Sequence, residues 1–189
     1  MERLTAFFDA NVLYPAPLRN LLMRLALRDL FRAKWSPTVH DEWIEAALRA
    51  RPKLDRKKLE RTRALMDAHV RDGLVEGYEA LIEGLVLPDP GDRHVLAAAI
   101  RGRADVIVTM NLKDFPAGAL APYGIEARHP DTFIMQLIDR DAGAVVAAAH
   151  EHRASLRSPP KTVQDYLDSL ERQGLIQTVA SLRTFEEVL

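Results

Sequence analysis

Short apolar runs typical of strands alternate with segments of helical periodicity along the first 140 residues. The clearest strand-like runs are residues 4–8 and 105–109, and the second, DVIVT, is rich in β-branched residues without polar alternation. Such a run is typical of a parallel strand that is buried on both faces. The alternation therefore predicts an α/β fold with three α/β/α layers, in which helices cover both faces of a mostly parallel central sheet.

The remaining elements of this fold are predicted from weaker patterns. Residues 31–35 and 125–128 are short strand candidates, and Ser36-Pro37-Thr38 is a typical opening of a helix. The predicted helices cover residues 19–30, 36–50, 54–70, 89–102 and 132–138. In an open parallel sheet, ligands bind beyond the carboxyl ends of the strands.

The pattern changes after Asp141. An alanine-rich helix is predicted over residues 142–152, a break at Pro159-Pro160, and a new helix after a capping box that begins at Thr162. Gly174 is placed to end that helix, and another is expected to run to residue 189. We therefore expect one domain over residues 1–140 and a helical C-terminal extension over residues 141–189.

Composition excludes several classes of site and suggests a compartment. The chain has no cysteine, so disulfides, thiolate metal ligands and cysteine nucleophiles are absent. No apolar run approaches the roughly 20 residues that span a membrane, and the N-terminus lacks the pattern of a signal peptide. We expect a cytoplasmic protein that does not bind membranes.

One segment is strongly basic although the whole chain has a net charge of only −1. Residues 49–63 contain eight lysines or arginines and two acids. Such a segment can attract a polyanion to one face, and Arg56, Lys57 and Arg61 are its candidates for RNA contact. Asn11, outside this segment, is a further candidate for RNA contact. A solvated helix face explains the same charges equally well.

An acid directly follows the first predicted strand. The apolar run Ala6-Phe7-Phe8 ends in Asp9, and Asn11 follows within the same turn. A buried carboxylate is unfavourable unless it is paired or bound to a cation. Asp9 is therefore either a helix cap or part of a site for a positive charge, with Asn11 orienting it or the turn.

Two further acids lie near predicted helix starts. On the helix from residue 36, Glu42 borders the apolar face, although an acid in a first turn also complements the helix dipole. In PDPGDRHVLAAAI, Asp89 suits the N-cap and Pro90 the first helical position. Asp92 shares a stripe with apolar residues, so a buried position beside a cation is the alternative to a capping role.

Asn111 and Asp114 follow the DVIVT strand in the sequence TMNLKDF. A loop acid is usually solvated, but all these groups are expected near one edge of the sheet. Oxygen ligands without histidine or cysteine suit a hard cation such as Mg²⁺ or Mn²⁺.

The four segments AFFDANVL, SPTVHDEW, LPDPGDRHVLAAAI and VIVTMNLKDF together resemble, in order and spacing, the acidic motifs of PIN-domain ribonucleases. Within that family the chain is most similar to the VapC-type toxins of bacterial toxin–antitoxin pairs. The resemblance extends over about residues 3–137. The stretch SPPKTVQDYLDSLERQGL is similar to a helical extension of some VapC-like proteins.

The resemblance implies a PIN-like fold and a ribonuclease that uses Mg²⁺ or Mn²⁺ and is neutralised by an antitoxin. It makes Asp9, Glu42 and Asp92 metal ligands and catalytic residues, with Asn111 as a further ligand and Asp114 as a further catalytic acid. Many relatives carry aspartate at the position of Asn111, and a neutral amide weakens any second metal site. A second copy of this chain, forming a homodimer, is a further expected partner.

Two other functions fit parts of the pattern. A PIN-like module that binds RNA or protein with weak or no catalysis is favoured by Asn111, but it has no need of three clustered acids. A haloacid-dehalogenase-like phosphatase would use Asp9 as its nucleophile. That class usually has a second acid two residues later, where this chain has Asn11.

Overall fold

The computed structural model describes residues 3–189. The chain forms two compact units. The first, which we call the sheet unit, runs to Tyr14 and resumes over Phe31–His129. The second, the helical unit, combines Pro15–Leu30 with Pro130–Leu189.

The described residues form four strands and ten α-helices with four short 3₁₀ turns. In chain order they are β1 (Thr5–Phe8), α1 (Ala10–Leu13), α2 (Ala16–Leu27), β2 (Arg32–Lys34), α3 (Pro37–Ala50), α4 (Arg56–His69), α5 (Glu79–Ile82), α6 (Arg93–Arg101), β3 (Val106–Val108), α7 (Ala117–Leu120), β4 (Glu126–Arg128), α8 (Pro130–Ser155), α9 (Val163–Glu171) and α10 (Ile176–Arg183). The 3₁₀ turns are Pro90–Asp92, Leu112–Asp114, Ala121–Tyr123 and Glu186–Val188.

A single four-stranded sheet, with every neighbouring pair of strands parallel, forms the centre of the sheet unit. The strand order is β2-β1-β3-β4, and both central strands, β1 and β3, are buried along their whole length. These two strands are the two clearest apolar runs of the sequence. The predicted α/β class with a parallel central sheet is therefore confirmed.

The register of β1 and β3 brings two polar residues side by side beyond the sheet. Phe8 pairs with Val108, so Asp9 and Thr109 are the next residues of their strands. The Asp9 backbone N–H donates to the Val108 carbonyl at 3.1 Å, which continues the ladder by one bond. The carboxyl ends of both central strands therefore deliver polar side chains to one edge, as predicted.

The helices that carry the other candidate acids begin at caps visible in the sequence. Ser36 caps α3, because its hydroxyl oxygen accepts the Val39 N–H at 3.2 Å. Asp89 accepts the Gly91 N–H at 2.7 Å ahead of Pro90, which confirms its predicted capping role. In the sheet unit, α6 then packs against β1 and β3.

The helical unit is built from α2, α8, α9 and α10. Helix α8 packs against α2 and α10, and it is interrupted at Asp141, whose backbone is extended (φ −157°, ψ 80°). Thr162 caps α9 as predicted, accepting the Asp165 N–H at 3.1 Å. The helix predicted over residues 19–30 instead begins and ends three residues earlier. The predicted boundary between residues 140 and 141 falls at the interruption of α8, and it stays a prediction.

None of the helices in residues 3–189 combines the length and the apolar character needed to cross a bilayer.

Candidate functional site

Asp9 lies at the carboxyl end of β1 with only 7% of its surface exposed. Its Oδ2 accepts two hydrogen bonds of 2.8 Å, one from the Thr109 hydroxyl and one from the Asn11 side-chain amide. The Asn11 Oδ1 accepts the Met110 N–H at 3.0 Å, so the Asn11 amide is anchored to the end of β3. Asn11 therefore orients Asp9, as the sequence suggested.

The hydrogen bonds to Asp9 do not fully offset its burial. Burial raises the pKa of Asp9 above its ordinary value, and the negative charge of Glu42 raises it further. Hydrogen bonds from Thr109 and the Ala10 backbone act in the opposite direction. A carboxylate in this state is stabilised by an added positive charge.

Asp92 lies at the start of α6 and makes no capping hydrogen bond with its side chain. Burial raises its pKa to about 6, and the charges of Asp9, Asp89 and Asp114 contribute in that order. Asp92 is therefore close enough to Asp9 and Asp114 for repulsion. Of the two explanations from sequence, a partly buried acid in a cluster of acids fits better than a helix cap.

Glu42 reaches the same region from α3, with 42% of its side chain exposed. Its Oε1 lies 2.9 Å from Nε2 of His94, a residue of α6. His94 also acts to lower the pKa of both Asp9 and Asp92, so it lies within electrostatic range of these two acids besides contacting Glu42. The edge position predicted for Glu42 agrees with this arrangement.

The segment after β3 supplies Thr109, Asn111 and Asp114. The Thr109 hydroxyl is completely buried, and besides donating to Asp9 it accepts the Asn111 N–H at 3.1 Å. The Asn111 side-chain amide donates to the Asp114 carboxylate. Because the amide nitrogen is engaged in this bond, the Asn111 oxygen is the atom left to face a cation.

The basic segment lies mainly on α4, also in the sheet unit, and its charges are not equivalent. Arg56 pairs with Glu45 and Glu60, and Arg63 pairs with Asp41 at 2.7 Å. Lys57 and Arg61 are exposed and form no ion pair within residues 3–189. Of the three basic candidates for RNA contact, Arg56 is thus the one with ion-pair partners. Asn11, the fourth candidate, bonds to Asp9 and to the Met110 N–H.

The donor set at the sheet edge fits a hard divalent cation. Four carboxylates from separate segments are coupled there in pairs, since Glu42 raises the pKa of Asp9, and both Asp9 and Asp114 raise that of Asp92. His94 acts on both aspartates in the opposite direction, and carboxylate oxygens are the ligands that such a cation prefers. Across residues 3–189, no three of these groups are already gathered at metal-binding distance. The fit therefore rests on the chemistry of the oxygens and on their shared electrostatics.

Thr109 and His94 are two residues of this site that the sequence motifs did not indicate. Thr109 could have been found as the one polar residue that ends a wholly apolar strand. His94 could have been found from its position two residues after Asp92, on the helix whose small alanines allow close packing.

Comparison with known proteins matches an N-terminal and a C-terminal part of the chain to two families. Residues 5–113 match the family described as "PIN domain", and residues 130–184 match the family described as "VapC50 C-terminal domain". No solved structure matches the chain significantly.

A curated relative shares part of this sequence. The protein named "Putative ribonuclease VapC50", from Mycobacterium tuberculosis (strain ATCC 25618 / H37Rv), is 49% identical over 82 residues. The match covers 43% of this chain and 48% of that protein. The chain thus spans about half the length of the relative it matches.

Proposed function

Because this chain belongs to the PIN-domain family, with its α/β/α fold, we propose that it is a divalent-metal-dependent endoribonuclease. The supporting observation is the electrostatic coupling of Asp9, Glu42, Asp92 and Asp114 at one edge of the sheet. These four acids come from separate segments, and a fold has no structural need to collect them. A ribonuclease is also what the name of the 49% identical relative indicates.

The residues that would hold Mg²⁺ or Mn²⁺ are Asp9, Glu42, Asp92 and Asn111, with Asp114 beside them. The bound cation supplies positive charge for a phosphate oxygen of RNA and lowers the pKa of water. Asn11 and Thr109 hold the Asp9 carboxylate in one orientation. Asp114 accepts a bond from the Asn111 amide nitrogen, which leaves the Asn111 oxygen to serve as a ligand.

The reaction is hydrolysis of a phosphodiester, in which water attacks phosphorus and the 3′-oxygen leaves. The 2′-hydroxyl of RNA takes no part as a nucleophile, so the products carry a 5′-phosphate and a 3′-hydroxyl. End-group analysis of cleaved RNA tests this step. Products with a 2′,3′-cyclic phosphate would contradict it.

The proposal is tested with the purified full chain, a mixed-sequence RNA and Mn²⁺. Cleavage should require Mn²⁺ or Mg²⁺ and should be lost in Asp9→Asn and Asp92→Asn. A matched control is Glu83→Gln, which removes an exposed acid of the sheet unit outside the site. Full cleavage by Asp9→Asn would reject the site, and RNA binding by the wild type without cleavage would favour the non-catalytic module.

The exposed cations of α4 are proposed to bind the RNA backbone. Lys57 and Arg61 are the best candidates, because the partners of Arg56 already offset its charge. Replacing Lys57 and Arg61 by alanine should flatten the salt dependence of RNA binding by about one unit of slope per lost contact. Arg56→Ala serves as the matched control and should change the slope less. Equal slopes in the wild type, the Lys57/Arg61 variant and Arg56→Ala would show that α4 is a solvated surface that does not contact RNA.

We further propose that the protein acts as the toxin of a toxin–antitoxin pair in the cytoplasm. The support is the match of residues 130–184 to a domain that is named after a VapC protein. The product of the neighbouring open reading frame should bind the full chain and suppress its RNA cleavage. A second copy of this chain is the alternative partner, and size-exclusion chromatography separates the two cases.

A further inference from the structure

His94 is the one imidazole that contacts a proposed ligand of the cation within residues 3–189. Its Nε2 lies 2.9 Å from Oε1 of Glu42, and only 12% of its side chain is exposed. Its Nδ1 is buried and forms no hydrogen bond to any described residue. His94 is therefore held in the acidic site by one polar contact, and that contact ends on Glu42.

The geometry decides between two roles for this imidazole. A direct ligand needs a ring nitrogen that can face the cation, but Nε2 faces Glu42 and Nδ1 is turned into the protein. An ionised carboxylate can only accept hydrogen bonds, so Nε2–H is the donor to Oε1. The second oxygen of Glu42 stays available for a cation, and 42% of the Glu42 side chain is exposed to solvent.

We propose that His94 is a positioning residue that holds Glu42 in the orientation required for binding the divalent cation. This inference rests on the proposed function, because it concerns the same site. A glutamate that is nearly half exposed has many rotamers, and a hydrogen bond to one oxygen restricts them before the cation arrives. Hydrogen-bond partners of metal ligands typically change metal affinity by about 10- to 100-fold when they are removed.

The test measures Mn²⁺ affinity of the full chain by isothermal titration calorimetry without RNA. His94→Gln and His94→Asn form the decisive pair, because a glutamine amide nitrogen reaches the position of Nε2 whereas an asparagine amide nitrogen reaches only that of Nδ1. We expect His94→Gln to bind Mn²⁺ nearly as well as the wild type. His94→Asn and His94→Ala should bind about 10- to 100-fold more weakly.

A control and a second readout separate positioning from general damage. His69→Ala removes an exposed histidine of α4 whose ring contacts the Leu65 carbonyl, and the Mn²⁺ affinity of this variant should equal that of the wild type. In RNA cleavage, His94→Asn should raise the Mn²⁺ concentration needed for half-maximal rate. At saturating Mn²⁺ its rate should approach that of the wild type.

Each unfavourable result has a separate meaning. If the wild type binds Mn²⁺ and cleaves RNA while the glutamine and asparagine variants bind equally well, the positioning role of His94 is wrong and the proposed function stands. Tighter binding by His94→Ala would also overturn the role, because His94 would then compete with the cation for Glu42. If the wild type neither binds Mn²⁺ nor cleaves RNA, the proposed function itself fails.

Discussion

Two aspartates of this molecule are almost equally buried but have different surroundings. Asp9 in the sheet unit is 7% exposed, and Asp131 in the helical unit is 5% exposed. Both oxygens of Asp131 accept backbone N–H groups at the start of α10, from Gln177 at 2.9 Å and Thr178 at 2.8 Å. Asp9 instead has an elevated pKa and lies near the charge of Glu42.

The two acids differ in whether the fold itself supplies partners for the buried carboxylate. Asp131 has such partners, whereas Asp9 needs a ligand. The N-terminus of α10 offers Asp131 unpaired N–H groups and the positive end of a helix, so the cost of burying its charge is met within the fold. The surroundings of Asp9 add negative charge. Burial alone therefore does not identify a functional acid, whereas burial together with repulsion does.

The largest effect is expected from removing the structural acid. Asp131→Ala leaves the buried Thr178 N–H and the partly buried Gln177 N–H without their carboxylate acceptor, and we expect a loss of about 4 kcal/mol in the free energy of unfolding. Urea denaturation of both proteins measures the difference. The matched control is Asp165→Ala, an exposed acid beside the cap of α9, with an expected loss of about 1 kcal/mol or less. Equal losses of stability in Asp131→Ala and Asp165→Ala would show that Asp131 stabilises the fold no more than an exposed acid does.

A second effect of similar size is expected from pH in the helical unit. His152 is 1% exposed and contacts the Tyr166 hydroxyl at 3.1 Å; burial lowers its pKa to about 4, with contributions from Arg24 and Lys161. Below pH 6.5 the His152 imidazole is protonated in the unfolded chain but stays neutral in the folded protein until the pH approaches about 4. Stability should therefore be complete above pH 6.5 and fall by roughly 3 kcal/mol as the pH decreases to about 4.

The contribution of His152 is isolated by a difference between two proteins. The stability of His152→Gln should lose this part of its pH dependence, because glutamine does not titrate. Urea denaturation at pH 7, 5.5 and 4 measures both curves. Parallel curves for wild type and variant would exclude His152 as the source.

We expect a divalent cation to bind and stabilise the acidic site of the sheet unit but not the helical unit. A cation that binds only the folded site stabilises the protein by about 2.7 kcal/mol at a hundredfold excess over its dissociation constant. Mn²⁺ should therefore raise the melting temperature of the wild type and leave that of Asp9→Asn unchanged. Asp131→Asn should keep the response to Mn²⁺ even where its own melting temperature is lower. A wild type that ignores Mn²⁺ would make Asp9 a buried acid of the structural kind.

Local sequence patterns were sufficient to predict the parts of the fold that depend on neighbouring residues. The buried strands β1 and β3 are continuous apolar runs, and Ser36, Asp89 and Thr162 cap helices within three residues of themselves. Asp9 was visible because an acid that ends an apolar strand is unusual. These features need no information from distant parts of the chain.

Features that depend on distant contacts were not predictable in this way. Asp131 caps a helix that begins 45 residues later, and its own position in the first turn of α8 suggests only a local role. The grouping of residues 15–30 with the C-terminal helices depends on the packing of α2 against α8. The contact between His94 and Glu42 joins two helices separated by more than forty residues, and nothing in either segment specifies it.

The smallest effect is expected at Asp92, where the site acts against the stability of the fold. Its pKa of about 6 exceeds the value of 3.8 for a free aspartate, so the folded protein binds more protons than the unfolded chain between these pH values. Stability should therefore decrease as the pH rises through this window, and the penalty is fully present above pH 6. Asp92→Asn removes the charge without removing a capping bond, because the Asp92 side chain makes none.

Because Asp92 is partly exposed, solvent screening limits the gain from Asp92→Asn to about 1 kcal/mol or less at pH 7 without metal. At pH 4 the variant and the wild type should unfold at the same urea concentration, since Asp92 is then largely protonated in the folded protein. Adding Mn²⁺ at pH 7 should reverse the order of stability, because only the wild type retains the full set of ligands. A variant that is less stable than the wild type in metal-free buffer at pH 7 would show that Asp92 stabilises the fold by itself, as Asp131 does.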